Sequence, residues 1–260
     1  MFTVKQYPQG TFSWVDYSAK KIDASKTFYS ELLGWTHKDS PVGDNYLYTT
    51  FYKDGHQVAG AGDAPVDAPD MPAAWTSYIN VVDADAICAQ AQALGGTIIS
   101  PPMDIMEEGR MALIQDPTGA IVGLWQPKNH IGATLVNTYG AFSWNELATP
   151  DVDKAKAFFG ALFGWTFQAS GNDYTLIQNN GRSNGGIIQM KENWGNVPPH
   201  WLVYFTVADI HAAVADAERL GGKTVMPITG SDGMQFAVIS DPLGGVFTLI
   251  QSERLDPWED

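Results

Sequence analysis

The chain has a single cysteine, Cys88, among 260 residues, so no internal disulfide framework can hold its fold. The alanine-rich run around Cys88 predicts a small buried hydrophobe. With no basic neighbour in sequence to lower its pKa, it is a poor nucleophile. Basic side chains are also scarce: 15 Lys and Arg stand against 29 Asp and Glu, a net charge of −14. Such a field repels phosphate backbones and anionic lipid, which argues against nucleic acid and membrane as partners. No stretch approaches the roughly 20 apolar residues of a membrane span. The opening "MFTVKQYPQG" lacks a signal-peptide core, and the expectation is a cytoplasmic protein. No serine sits in a nucleophile elbow, and no glycine pair is followed by the Lys-Ser/Thr of a phosphate loop.

What the chain does have is a repeat. "GTFSWVDYSAKKIDASKTFYSELLGWT" (10–36) returns as "GAFSWNELATPDVDKAKAFFGALFGWT" (140–166), with 11 of 27 positions identical at a shift of 130. "WTSYINVVDADAICAQAQALGG" (75–96) answers "WLVYFTVADIHAAVADAERLGG" (201–222) at 126, and "QDPTGAIVGLWQ" (115–126) answers "SDPLGGVFTLIQ" (240–251) at 125. A period this long fits a duplicated domain and not a solenoid. The implied boundaries are 8–126 and 138–252, with 127–137 as the join. The join has little of the Gly/Ser content of a free linker, so Ile131, Leu135, Val136 and Tyr139 should pack down.

Local signals repeat the same plan within each half. "TFSWVDY" reads as a strand. A helix follows with one apolar stripe, Asp23 or Asp153 at its start and Gly34 or Gly164 at its end. "YLYTTFYKDGHQVAG" reads as a hairpin turning at Asp54-Gly55. A second strand and a helix capped by Asp83 or Asp209 come next, then three strands, the last two joined by "DPTG" or "DPLG". Each half is therefore β-α-β-β-β twice, which gives four modules in an α+β chain.

That order, with "FY…LLGW" closing the first helix, "V.D…A…LGG" around the second and a final "DP.G…L" strand, resembles the vicinal oxygen chelate superfamily. Its members include glyoxalase I, bleomycin-resistance proteins and extradiol dioxygenases. The resemblance covers nearly the whole chain in two copies. It implies tandem domains in two pseudo-twofold related halves, each with a ligand-sized cup, and a monomer whose halves stand in for a homodimer. Further self-association is compatible with it.

Metal-dependent members of that superfamily place His, Glu or Gln on the first and last strands of each module. Here the first strands carry only Asp16 and Glu146. The place seven residues after the "DP.G" aspartate holds Gly123 or Thr248, and there is no Glu between Glu31 and Glu107 or between Glu146 and Glu192. Of the five histidines, 37, 56, 130, 200 and 211, no two are equivalent in the repeat, and only His200 lies near a family ligand position. The expectation is no metal and no cofactor. Asp16 and Glu146 are the weak candidates for a general base, against a plain structural carboxylate. Nine tryptophans and ten tyrosines supply aromatic surface instead. The candidate lining is Trp14, Tyr48, Trp75, Tyr78, Arg110 and Trp125 in one half. In the other it is Trp144, Tyr174, Trp201, Tyr204, Gln235 and Phe236.

Three functions compete on this reading. The first is metal-independent binding of a small aromatic or heterocyclic molecule. The second is a glyoxalase- or dioxygenase-type enzyme with an atypical metal site. The third is a non-catalytic interaction protein. Metal analysis after ordinary purification should find far less than one zinc, nickel or iron per chain; about one ion per chain would reject the first reading.

Overall fold

The computed structural model describes residues 3–253 except 43–45, 65–70, 172 and 232. The first half runs β1 (Phe12–Ala19), α1 (Asp23–Leu33), β2 (Thr36–Val42), β3 (Tyr46–Lys53) and β4 (His56–Asp63), then β5 (Ala74–Asn80), α2 (Ala84–Ala93), β6 (Thr97–Ile105), β7 (Gly109–Gln115) and β8 (Ile121–Pro127). The second half repeats it with β9 (Phe142–Thr149), α3 (Val152–Phe163), β10 (Thr166–Ala169), β11 (Tyr174–Asn179) and β12 (Arg182–Gln189). It continues with β13 (His200–Thr206), α4 (Ile210–Arg219), β14 (Lys223–Ser231), β15 (Met234–Ser240) and β16 (Val246–Ser252). Each half forms one eight-stranded sheet, ordered β2-β3-β4-β1-β5-β8-β7-β6 and its counterpart. Within it β1 runs parallel to β4 and β5 parallel to β8, and the other pairs are antiparallel. Each sheet curls so that one face lines a cup and the other meets the helices. No helix among the described residues is long and apolar enough to cross a membrane.

Three of the four α-helices among the described residues take an aspartate cap. Asp83 and Asp209 accept from Ala86 N and Ala212 N, each at 3.0 Å, as expected. At the other two helices the sequence expectation is corrected. Asp151, not Asp153, caps α3 by accepting from Lys154 N at 2.9 Å. Asp153 sits in the first turn beside Lys156. Asp23 is the first residue of α1, which has no side-chain cap; Asp63 instead accepts from Ile22 N. Gly34 and Gly164 end α1 and α3 at φ 68° and 72°, a backbone region costly for any residue with a Cβ.

The hydrophobic core does not respect the halves. One cluster joins Tyr17, Phe28 and Trp35 of the first half to Val203, Phe205 and Phe247 of the second. The other joins Phe12, Ile79 and Ile114 to Phe158, Phe159 and Trp201. Ring pairs cross the seam, with Trp35 5.4 Å from Phe205 and Phe12 5.0 Å from Trp201. Trp35 Nε1 donates to Gly140 O at 2.6 Å, and Trp165 Nε1 donates to Gly10 O at 2.8 Å. Each half thus hydrogen-bonds the glycine that opens the other half's first strand. In the join, Leu135 and Val136 are buried and Ile131 partly so. Tyr139 is 48% exposed, contrary to expectation.

The two seams differ in chemistry. On one, Asp241 is buried and its Oδ2 accepts from Ser25 Oγ at 3.1 Å and Tyr29 Oη at 3.0 Å; Trp75 Nε1 donates to the same tyrosine oxygen at 2.8 Å. The repeat replaces Asp241 by Asp116, Ser25 by Ala155, Tyr29 by Phe159 and Trp75 by Trp201. The ring geometry is kept: Tyr29–Trp75 centroids lie 5.1 Å apart and Phe159–Trp201 centroids 5.5 Å apart, both pairs near perpendicular. With no hydroxyl at 159, Asp116 Oδ2 and Trp201 Nε1 are both buried and without a partner, which is costly. Phe159→Tyr should place a hydroxyl between them and raise stability by about 1–2 kcal/mol in urea unfolding, while Tyr29→Phe should cost about 1–3 kcal/mol. A loss of stability in Phe159→Tyr would show that the second seam cannot take the extra atom.

Candidate functional site

The cups are built on the strand faces turned away from the helices. Strand alternation assigns the residues. In the first half Trp14 pairs with Tyr78 and Asp16 with Thr76, so all four share the cup face. Tyr48, on β3, reaches over Gly60 to the same place; a Cβ on Gly60 would collide with the tyrosine hydroxyl. Gly60 has no positive φ, so glycine is required there for space and not for backbone freedom. Trp125 lies on the cup face above Gly109, and the Tyr78 ring lies over Gly123 in the same way. In the second half Trp144 pairs with Tyr204, Tyr174 crosses Gly186, and Phe236 lies 6.3 Å from Tyr204.

Four expected lining residues face the other way. Trp75 pairs with Tyr17 and packs on Tyr29 and Phe205. Trp201 packs on Phe12, Phe159 and Trp165. Both belong to the seam. Arg110 turns to the outer face, where it forks onto Asp85 at 2.8 and 3.0 Å. Gln235 pairs with Gln251 on the helix side, where Gln251 accepts from Ile210 N. One residue of register separates each of them from the cup.

At the floor of each cup a carboxyl is held by the same chain of donors. Trp14 Nε1 donates to Tyr48 Oη at 3.0 Å, and Tyr48 Oη donates to Asp16 Oδ1 at 3.2 Å. Trp144 Nε1 donates to Tyr174 Oη at 2.8 Å, and Tyr174 and Tyr204 both bond Glu146. Burial pushes Asp16 up to about 7, against a smaller lowering by the Tyr48 bond. Burial raises Glu146 as well, partly offset by its two tyrosines. Both carboxyls keep partial solvent exposure. Asp241 is seated by a similar chain but is sealed in the core, so the donor chain alone marks a way of burying a carboxylate. Exposure to a cup sets Asp16 and Glu146 apart.

No three His, Cys, Asp or Glu side chains converge among the described residues. Gly123 cannot ligate, and a side chain there would meet the Tyr78 ring. Thr248 lies beside Tyr204 as an uncharged hydroxyl. His200 opens β13 on the face shared with Leu202 and Tyr204, closer to the cup than the sequence suggested. Its Nδ1 lies 2.8 Å from Pro198 O. Cys88 is buried, and burial pushes its thiol up to about 11, which leaves it unreactive.

The cups differ in how open they are. In the first, Trp14, Tyr78 and Trp125 are all buried. In the second, Trp144 keeps partial exposure where Trp14 is buried, and Ile250, partly exposed, stands in place of Trp125; Asp16 and Tyr48 are as partly exposed as Glu146 and Tyr174, and Tyr204 is as buried as Tyr78. A seam crevice of about 40 Å³ opens beside Trp144, between Phe12, Ser143 and Ser183. A wider surface hollow of about 470 Å³ lies elsewhere, between Pro117 and Phe158, outside both cups. Three contributors, Gly60, Gly186 and His130, are hard to read from sequence. The two glycines recur at equivalent places, which was the available signal. His130 has no counterpart in the repeat.

Known proteins share this architecture. Over 257 residues the chain is 40% identical to "Putative glyoxylase CFP32" of Mycobacterium tuberculosis (strain CDC 1551 / Oshkosh), covering 95% of this chain and 96% of that one. It is 31% identical over 263 residues to "Anthracycline biosynthesis protein DnrV" of Streptomyces peucetius, covering 95% and 94%. Among solved structures, the Mn(II)-bound glyoxalase from Novosphingobium aromaticivorans superposes with a TM-score of 0.66 at 17% identity, over 97% of this chain and 85% of that one. The 2,3-dioxygenase LapB from Pseudomonas sp. KL28 superposes with a TM-score of 0.65 at 13% identity, over 96% and 97%. The family model for the Glyoxalase/Bleomycin resistance protein/Dioxygenase superfamily matches residues 11–124 and again 136–248, and the chain belongs to that superfamily, with two copies of its domain in tandem.

Proposed function

We propose that the chain binds a small planar aromatic or heterocyclic molecule in an aromatic-walled cup, without a resident metal. The observation that carries this reading is the carboxyl held by Tyr and Trp at the floor of each cup, on a residue that keeps partial exposure. Aromatic walls supply area and stacking. A carboxyl whose charged form is disfavoured by burial can accept from a phenolic O–H or ring N–H when ionised, or donate when protonated. The likeness to a relative named for anthracycline biosynthesis supports a fused-ring ligand. Superfamily membership leaves open whether the bound molecule is also transformed.

A second reading is supported by Asp16 itself, whose value of about 7 suits proton transfer at neutral pH. On it, the carboxyl abstracts a proton from the bound molecule. Product formation by the EDTA-treated protein that is lost in Asp16→Asn would establish it; full turnover in Asp16→Asn would reject it.

Two predictions follow from the cup chemistry. A panel of planar aromatics, quinoline and hydroxyanthraquinone among them, should quench tryptophan fluorescence saturably in EDTA. Glu146→Gln or Tyr174→Phe should weaken that binding by about 5- to 10-fold, and Arg110→Ala, on the outer face, should not. Quenching that needs an added divalent ion would overturn the metal-free reading.

The second concerns stability. Asp16 is protonated in both folded and unfolded states well below pH 4, so it adds no pH dependence there. Between about pH 4 and its folded value of about 7, only the folded state holds the proton. Stability is therefore lost as pH rises through that window. Asp16→Asn has no such loss and should melt above the parent at pH 8, with the gap closing toward pH 4. An equal gap at both values would show that Asp16 is not shifted.

A further inference from the structure

The first cup has an aromatic guest of its own. The join leaves β8, and residue by residue it is tied across the end of the first sheet. Lys128 N and His130 N donate to Glu108 O, and Asn129 N donates to Glu107 O. Ala133 N donates to Ser13 O and Thr134 N to Gln57 O, while Tyr7 Oη donates to Ala133 O. Gly132, at φ 109°, passes so close to the Ser13 carbonyl that a Cβ could not fit. This course delivers the His130 ring to the cup. Its centroid lies 4.5 Å from that of Trp14 at 88°, and 5.6 Å from that of Trp125 at 68°. Trp125 Nε1 donates to His130 O at 2.8 Å, and His130 Nδ1 lies 3.2 Å from Gln57 Oε1. Burial holds the imidazole neutral, down to about pH 4.

We propose that His130 is a tethered occupant of the first cup, a neutral heteroaromatic ring in a seat that would otherwise take a free one. The second half has no such guest among its described residues. Its equivalent of Trp14 is Trp144, which stays partly exposed. The join's seat at Ser13 and Gln57 corresponds to Ser143 and Ser183, where the seam crevice opens. On this proposal a free ligand is left with the second cup, one molecule binds per chain, and Asp16 is not the base that meets it. The ligand class follows from the guest: a flat, uncharged nitrogen heterocycle, met edge-to-face by tryptophan. This last step rests on reading the cups as seats for planar aromatics; the occupancy of the first cup does not.

The test is cavity complementation at pH 8, where imidazole is neutral. His130→Gly should melt below the parent. Imidazole should raise its melting temperature saturably, tetrahydrofuran at the same concentration should not, and the parent should not respond. Imidazole that leaves His130→Gly unmoved, or raises the parent equally, overturns the proposal. If His130→Gly does not fold, it should be refolded from urea with and without imidazole. Recovery only with imidazole supports the tethered seat, and equal recovery rejects it. Quinoline titration then counts sites: one in the parent and two in His130→Gly. Two in the parent would show that His130 does not close the first cup. No quinoline binding to either protein would remove the ligand reading while leaving the imidazole result standing.

Discussion

The structure depends on an exchange across its pseudo-twofold axis. Trp35 reaches Gly140 and Trp165 reaches Gly10, each indole donating to the carbonyl that opens the other half's first strand. Both indoles are buried, so the bonds form out of competition with water. They mark the lines along which the two hydrophobic clusters are shared. A sheet with one apolar face needs a second layer. Here the helices α1 and α3 cover that face for the opposite half, and neither half holds a complete core. The cups face away from the seam because the seam has already claimed the other side of each sheet.

Duplication gave two equal halves, and the residues show where equality was lost. Where one seam has the polar lock of Asp241, Ser25 and Tyr29, the other has Asp116, Ala155 and Phe159, and two buried polar atoms there are without partners. In the cups, Asp16 became Glu146. The extra methylene brings the carboxylate into reach of a second phenol, Tyr204, where Asp16 bonds one. The largest difference comes from connectivity. The first half is followed by a join that must cross back to β9, and that crossing carries His130 into the first cup. A chain segment needed for topology thus fills one site and leaves the other.

The carboxyl chemistry is a consequence of the same geometry. Gly60 and Gly186 clear a path for tyrosine hydroxyls, which hold Asp16 and Glu146 from one side while tryptophan holds the tyrosines. Burial then disfavours the charged form of both carboxyls. Among the described residues, no second charge contributes to the shift of either carboxyl.

The sequence by itself determined the repeat, the four β-α-β-β-β modules, the Asp83 and Asp209 caps, the glycine helix ends and the superfamily. Each is written in local chemistry: turn residues, capping residues and the alternation of strands. It also presented Trp14, Tyr48, Tyr78, Trp144, Tyr174 and Tyr204 as lining; the structure places them on the sheet face away from the helices. Only the tertiary structure decided that Trp75, Trp201, Arg110 and Gln235 do not lie there. Alternation shows that Trp75 and Tyr78 point to opposite faces, but each is 7% exposed, since both faces of the central strands are covered. Hydrophobicity therefore cannot tell cup from seam. His130 escaped for a related reason: its partners Trp14, Trp125 and Gln57 meet it only after the join has folded back across the sheet, and no local pattern encodes where a join will land.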